Sequence, residues 1–158
     1  MLQTQFERYE KIHDLIVEEF QTIYNQTLRT YAVEHTSMVD AYITLIASSR
    51  GLDVELAKVC AVLHDYFKFT RNMPLEHALR GARIARTVLT DSKLFTPEEI
   101  NLVVHAIEEH SNKDQQSELL DEALKDADVL ASWCENPAKP LSPARQIRLD
   151  HLKAELHF

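Results

Sequence analysis

His64 and Asp65 stand side by side at the end of the apolar run Ala61-Val62-Leu63, and both side chains bind divalent metals. Neither is informative alone, because a histidine on an apolar helix is usually a hydrogen-bonded core residue. The same residue types recur along the chain at His35, His77 and His110, with Asp126 and Asp128 further on. Imidazoles and carboxylates without thiolates suit iron, manganese, zinc or another borderline divalent ion better than calcium. Four histidines with Asp65 and one aspartate of the later pair exceed what one tetrahedral ion needs. Two ions bridged by one carboxylate would use them all, and Asp65 is the natural bridge.

Whether these groups meet depends on the elements that carry them. His35, Val39, Tyr42 and Ile46 follow a helical series, so a helix from about Tyr31 to Ser49, closed by Gly51, puts His35 on its buried side. Asp53 can cap the next helix, whose stripe of Leu56, Cys60, Leu63 and Phe67 places His64 and Asp65 near its last turn, about 100° apart. Pro74 predicts the first turn of a fourth helix, with His77, Gly81, Ile84 and Val88 in one line. A glycine inside a helix points to close approach by another backbone, here the His-Asp turn.

Thr96-Pro97-Glu98-Glu99 reads as a capping box that starts a fifth helix, with Ile100, Val103, Ile107 and His110 on one face. His105 falls in line with Asn101, Glu108 and Asn112 and reads as exposed or supporting. A sixth helix from about Ser117 carries Lys125-Asp126-Ala127-Asp128, whose carboxylates are costly to bury unless paired or metal-bound. Periodicity separates Asp126 from Asp128 poorly, although Leu124, Asp128 and Ala131 share a line. An amphipathic helix within residues 1–25 and a last one over 143–157 read as packing elements. Arg145, Arg148 and Lys153 on the last helix read as a solvated face.

A chain of 158 residues holds one core comfortably, and two glycines with five prolines placed mainly at helix starts indicate a single all-α domain of about six to seven helices. The formal charge of −8 argues against general nucleic-acid binding. An anionic substrate would therefore need local cations, for which Lys68, Arg80 and Arg83 are the candidates. No apolar run approaches the roughly 20 residues that span a bilayer, and the first residues do not read as a signal peptide, so a cytoplasmic location is expected. Cys60 and Cys134 lie far apart and are expected to be reduced thiols, with Cys60 in the core.

In order and spacing, these residues resemble the HD-domain superfamily of metal-dependent phosphohydrolases, whose pattern is His, then His-Asp, then Asp. Here it reads as His35-Thr36-Ser37, Leu63-His64-Asp65-Tyr66-Phe67-Lys68 and Ala127-Asp128-Val129-Leu130. The further histidines of the two-metal branches are matched by His77 in His77-Ala78-Leu79-Arg80-Gly81-Ala82 and by His110 in Ala106-Ile107-Glu108-Glu109-His110. The resemblance covers residues 31–133 and implies an orthogonal helical bundle, with Asp128 rather than Asp126 as the final ligand. It implies one or two divalent ions (Fe, Mn, Zn, Co, Ni or Mg), one held by His35, His64, Asp65 and Asp128 and a second by Asp65, His77 and His110. Asp65 and Lys68 would be catalytic, with Lys68, Arg80 and Arg83 toward the substrate.

The implied substrate is a small phosphorylated molecule, a nucleotide or dinucleoside polyphosphate, hydrolysed by attack of a metal-activated water; a homo-oligomer is compatible with this. Two departures stand out: Val129 follows the final Ala-Asp where a polar residue is frequent, and Tyr66-Phe67 replaces a commoner small pair, narrowing the pocket. A di-iron oxygenase on the same scaffold would instead consume dioxygen. A non-catalytic metal- or nucleotide-binding module would bind without turnover.

Overall fold

The computed structural model describes residues 6–158, which form eight helical segments and no strand among the described residues. The first five residues, part of the stretch read above for a signal peptide, lie outside that range. The helices are α1 (Glu7–Gln21), α2 (Gln26–Ser49), α3 (Val54–Leu63), α4 (Tyr66–Arg71), α5 (His77–Ser92), α6 (Pro97–Glu109), α7 (Leu119–Glu135) and α8 (Pro143–Leu156). No helix among the described residues is long and apolar enough to cross a membrane.

The bundle is organised around α3. Its Leu56, Ala57, Val59, Cys60, Ala61, Val62 and Leu63 are all buried, because α1, α2, α6 and α7 pack around it. The surrounding helices need only one apolar face, and α1 supplies Tyr9, Ile12, Ile16 and Phe20 at helical spacing. The Asp53 carboxylate accepts from Leu56 N–H at the start of α3, and Thr96 with Glu99 forms the complete capping box of α6. Asn25 caps α2 in the same way, so that helix begins at Gln26, earlier than its apolar pattern indicates.

Two further boundaries and one surface differ from the sequence reading. His64 and Asp65 are not in the last turn of α3, which ends at Leu63; Asp65 has φ −113° and ψ 9°, outside the helical region, and the chain turns there into α4. That break raises the helix count to eight. Pro74 lies in a turn ahead of α5, because Glu76 takes a left-handed φ of 54° and the helix starts only at His77. The solvated face expected on α8 is interrupted by Arg148. Its Nη1 bonds Glu122 at 2.7 Å and Asp126 at 3.0 Å, while Nε and Nη2 donate to the Lys113 and Gln115 carbonyls at 2.8 and 3.1 Å. Arg148 thus ties α8 to α7 and to the connection between α6 and α7. Asp126 is held between Arg148 and Arg50, whose Nη2 donates to it at 2.7 Å.

Gly81 of α5 does sit against the His-Asp turn, as expected. A Cβ at this position would lie 3.6 Å from the His64 carbonyl oxygen and 3.7 Å from the Phe67 Cβ, which is ordinary contact. Close approach is real, but it leaves room for a methyl group. Gly81→Ala is therefore expected to stabilise the protein by roughly 0.5–1 kcal/mol, through helix propensity and a less flexible unfolded chain. Urea unfolding checks this; a loss of stability would mean that the α4–α5 contact is tighter than the geometry indicates.

Candidate metal centre

The side chains singled out by spacing converge at one place, and three of the four histidines arrive there from helix ends. His64 and His110 are the residues that close α3 and α6, and His77 opens α5. The last carbonyls of a helix lack intrahelical partners. Here two of them are used to hold rings: His64 Nδ1–H donates to Ala61 O at 2.6 Å and His110 Nδ1–H to Ile107 O at 2.6 Å. His77 Nδ1–H donates to Pro74 O at 2.8 Å. His35 comes from the middle of α2 and has no such carbonyl; its Nδ1–H donates to the Glu135 carboxylate at 2.5 Å.

Since a carbonyl or carboxylate oxygen can only accept, each Nδ1 must carry a hydrogen. In the neutral rings Nε2 is then a bare lone pair, and all four Nε2 atoms turn toward Asp65. The two oxygens of that carboxylate divide them. Oδ2 lies 3.4 Å from His64 Nε2 and 3.8 Å from His35 Nε2, while Oδ1 lies 3.3 Å from His77 Nε2 and 3.4 Å from His110 Nε2. Asp128 Oδ1 completes the first group, 3.2 Å from His35 Nε2 and 3.8 Å from His64 Nε2. His77 and His110 face each other Nε2 to Nε2 at 3.3 Å, with the Ser111 hydroxyl 3.3 Å from His77.

Acceptors packed this closely, with little hydrogen between them, are unfavourable unless a cation sits among them. His35 Nε2, His64 Nε2 and Asp65 Oδ1 are buried and have no hydrogen-bond partner among the described residues. Two sets of donor atoms lie within 4.8 Å of one another: His35, His64 and Asp128, and His64, Asp65 and His110. This donor set, nitrogen and carboxylate oxygen without sulfur, fits divalent transition metals.

A proton can take the place of a metal cation among these acceptors, and the electrostatics describe the site in that protonated form. Burial would raise the Asp65 carboxyl, but His64 and His110 outweigh it and hold that group well below the usual carboxylate range. Asp128 is held down in the same way against its burial, chiefly by Lys113 and then His35. For His35, burial pulls downward and is overcome by Asp128 and Glu135, which push it up to about 9. His110, almost wholly enclosed, is driven down by burial.

Sequence reasoning missed several neighbours. Lys113 is buried, donates to Asp128 Oδ2 at 2.6 Å and also reaches the His110 carbonyl. It lies in the connection after α6, where helical periodicity carries no information. Glu135 and Tyr31 join at 3.2 Å through the Tyr31 hydroxyl, and the Tyr31 ring stacks on His35 with centroids 5.5 Å apart. Among the expected cations, Lys68 lines the cleft and donates to Asp65 Oδ2 at 3.0 Å. Arg80 and Arg83 do not line it: Arg80 pairs with Glu76 at 3.3 Å on the exposed side of α5, and Arg83 is exposed beside it. His105 also stands apart, half-exposed and paired with Asp121 at 2.8 Å.

Glu135 orients His35 through a charged hydrogen bond, and the loss of such supporting partners typically costs 10–100-fold in metal affinity. Glu135→Gln is expected to weaken binding at the His35 group by about tenfold or more. Titration against a metal buffer checks this, with thermal melting as the control for folding. Unchanged affinity would show that the Tyr31 stack alone suffices to hold the ring.

Comparison with known proteins bears on the family and the fold. The family model described as HD domain matches residues 32–133. Ribonuclease Y of Thermobifida fusca (strain YX) is 35% identical over 95 residues, which is 60% of this chain but only 16% of that protein. The chain therefore spans about a sixth of the length of this curated relative. Among solved structures, a predicted HD superfamily hydrolase from an uncultured Thermotogales bacterium superposes with a TM-score of 0.65 at 23% identity, covering 94% of this chain and 87% of that one. That likeness establishes the fold.

Proposed function

This chain belongs to the HD-domain family, and from that premise we propose that it is a metal-dependent hydrolase acting on a small phosphate ester. The observation that carries the reading is the division of labour at Asp65, whose two oxygens face two separate groups of imidazole Nε2 atoms. When bound, divalent ions supply Lewis-acid chemistry, acidifying water and offsetting charge on phosphoryl oxygens.

The residues have distinct parts in this proposal. His35, His64 and Asp128 would hold one ion and His77 and His110 a second, with Asp65 shared between them. Lys68 and Lys113 each keep an ammonium on one ligand carboxylate, at 3.0 and 2.6 Å, which fixes the carboxylates for coordination. Lys68, part-exposed at the rim, is also placed to meet an anionic oxygen of the substrate. The inner cleft of about 310 Å³ admits a phosphoryl group and part of its ester. A formal charge of −8 over the whole chain favours a small substrate drawn in by this local cationic cleft over a long polyanion such as RNA.

The test is elemental analysis of protein purified without added metal, combined with a phosphate-release screen over nucleotides, dinucleoside polyphosphates and simple aryl phosphates. Near two transition-metal ions per chain, with release abolished by chelation and restored by metal, is the expected result. Metal-independent turnover, or none with any phosphate ester at full metal loading, would refute the proposal.

A further inference from the structure

The inner cleft does not end at the metal-binding residues. It continues into an outer cleft of about 550 Å³, and the two share Tyr31, Ser132 and Arg145. The outer one is walled by the connection from α7 to α8, where Lys139 stands exposed and Pro140 and Leu141 give it an apolar side. These residues, like Arg145 in the first turn of α8, follow the segment that matches the family.

The cations along this path differ in one respect. Lys68 and Lys113 are each bonded to a carboxylate, Asp65 and Asp128 respectively. Arg145 is half-buried and makes no hydrogen bond or ion pair among the described residues, and the Lys139 side chain makes none either. In a chain with 25 acidic and 17 basic side chains, a partly buried guanidinium without a carboxylate is conspicuous. Arg148, one turn along the same helix, shows the alternative, with both Glu122 and Asp126 on its Nη1. Arg145 instead lines the same inner cleft as Lys113, a second cation. With Lys113 already neutralised by Asp128, Arg145 is the half-buried cation left without a counter-charge, and an anion in the cleft would supply one.

We propose that Arg145, assisted by Lys139, is a specificity residue that binds a second phosphate, so that the preferred substrate carries two phosphoryl groups, one over the metal-binding residues and one in the outer cleft. This rests on the phosphohydrolase reading for the inner position only. A planar guanidinium presents paired donors that match phosphate oxygens. The aromatic and apolar surfaces of Tyr31, Pro140 and Leu141 would face the organic part of the substrate.

The test compares orthophosphate with imidodiphosphate, whose nitrogen bridge resists hydrolysis, as ligands of metal-loaded protein freed of excess ion. In calorimetric titration the unaltered protein should bind imidodiphosphate about tenfold more tightly than orthophosphate. Arg145→Gln should remove that difference while changing orthophosphate affinity by less than about twofold, and Lys139→Gln should reduce it by about threefold. Thermal melts confirm folding of both variants, whose altered side chains have no partner to lose. Equal weakening of both ligands by Arg145→Gln, or no weakening of either, would overturn the proposal. Failure of the phosphate-release screen with this binding pattern intact would count against hydrolysis and leave the second-phosphate subsite standing.

Discussion

Asp65→Asn is expected to abolish phosphate release, with a loss in kcat/KM of about a thousandfold or more, equivalent to roughly 4 kcal/mol of transition-state stabilisation. The substitution keeps the shape of the side chain and removes the one charge that faces all four imidazoles, at 3.3 to 3.8 Å. Metal content should fall, most steeply at the His77 and His110 position, which has no other carboxylate near it. The metal-free fold should survive. The surrounding helices are held by the apolar core around α3, and an asparagine amide can donate to an imidazole lone pair that otherwise has no donor. Elemental analysis, steady-state rates and a thermal melt decide the matter. Full metal content with a native rate would dispose of the bridging role.

The second large effect lies away from the cleft. Arg148→Ala should cost roughly 2–4 kcal/mol of stability, the range for removing one partner from a largely buried charge network. The figure stays below the extreme because Asp126 retains Arg50 at 2.7 Å and Glu122 retains Lys125 at 3.2 Å. The melting temperature should fall by several degrees. A change under about 0.5 kcal/mol would show that the network contributes no net stability. Because Arg148 also donates to the Lys113 and Gln115 carbonyls, the connection carrying Lys113 should exchange its amide hydrogens faster in the variant.

The same network makes the protein sensitive to acid. For Glu122, burial would raise the carboxyl, but Arg148 and Lys125 outweigh it and lower it from 4.5; for Glu155 the bond from Arg50 leads, and its value is also below 4.5. A folded value below the unfolded one gives stability that is complete above the unfolded pKa and is lost as pH falls through the folded one. Urea unfolding should therefore show stability declining from about pH 4.5 downward. Arg148→Ala should flatten that decline, because Glu122 loses the partner that lowers it. An equally steep slope in the variant would assign the acid sensitivity to other carboxylates.

Much of the site was legible because its parts obey helical periodicity. His35 and His110 could be placed inward from the apolar residues in line with them, and Thr96 and Asp53 announced their helix starts. The order His, His-Asp, His, His, Asp then pointed to one centre. What periodicity could not convey is anything decided by the tertiary path of a connection. Lys113 and Lys139 lie between helices, Arg145 looks like Arg148 in sequence yet has opposite surroundings, and Glu135 meets His35 across 100 residues. The break at Asp65 was missed because Ala61 to Phe67 is a continuous apolar-rich run apart from the pair itself, and only the backbone shows where it turns. Pattern separated Asp126 from Asp128 only poorly, and the structure separates them by company, two arginines for one and Lys113 with His35 for the other.

The imidazole tethers differ in what inheritance can do to them. Three rings hang on main-chain oxygens, of Ala61, Pro74 and Ile107, which every amino acid supplies, so drift at those positions can leave the tethers in place. The fourth hangs on the side chain of Glu135 alone. A single codon change outside the set of ligands can thus release His35, while the other three rings are guarded against the same accident by the backbone itself.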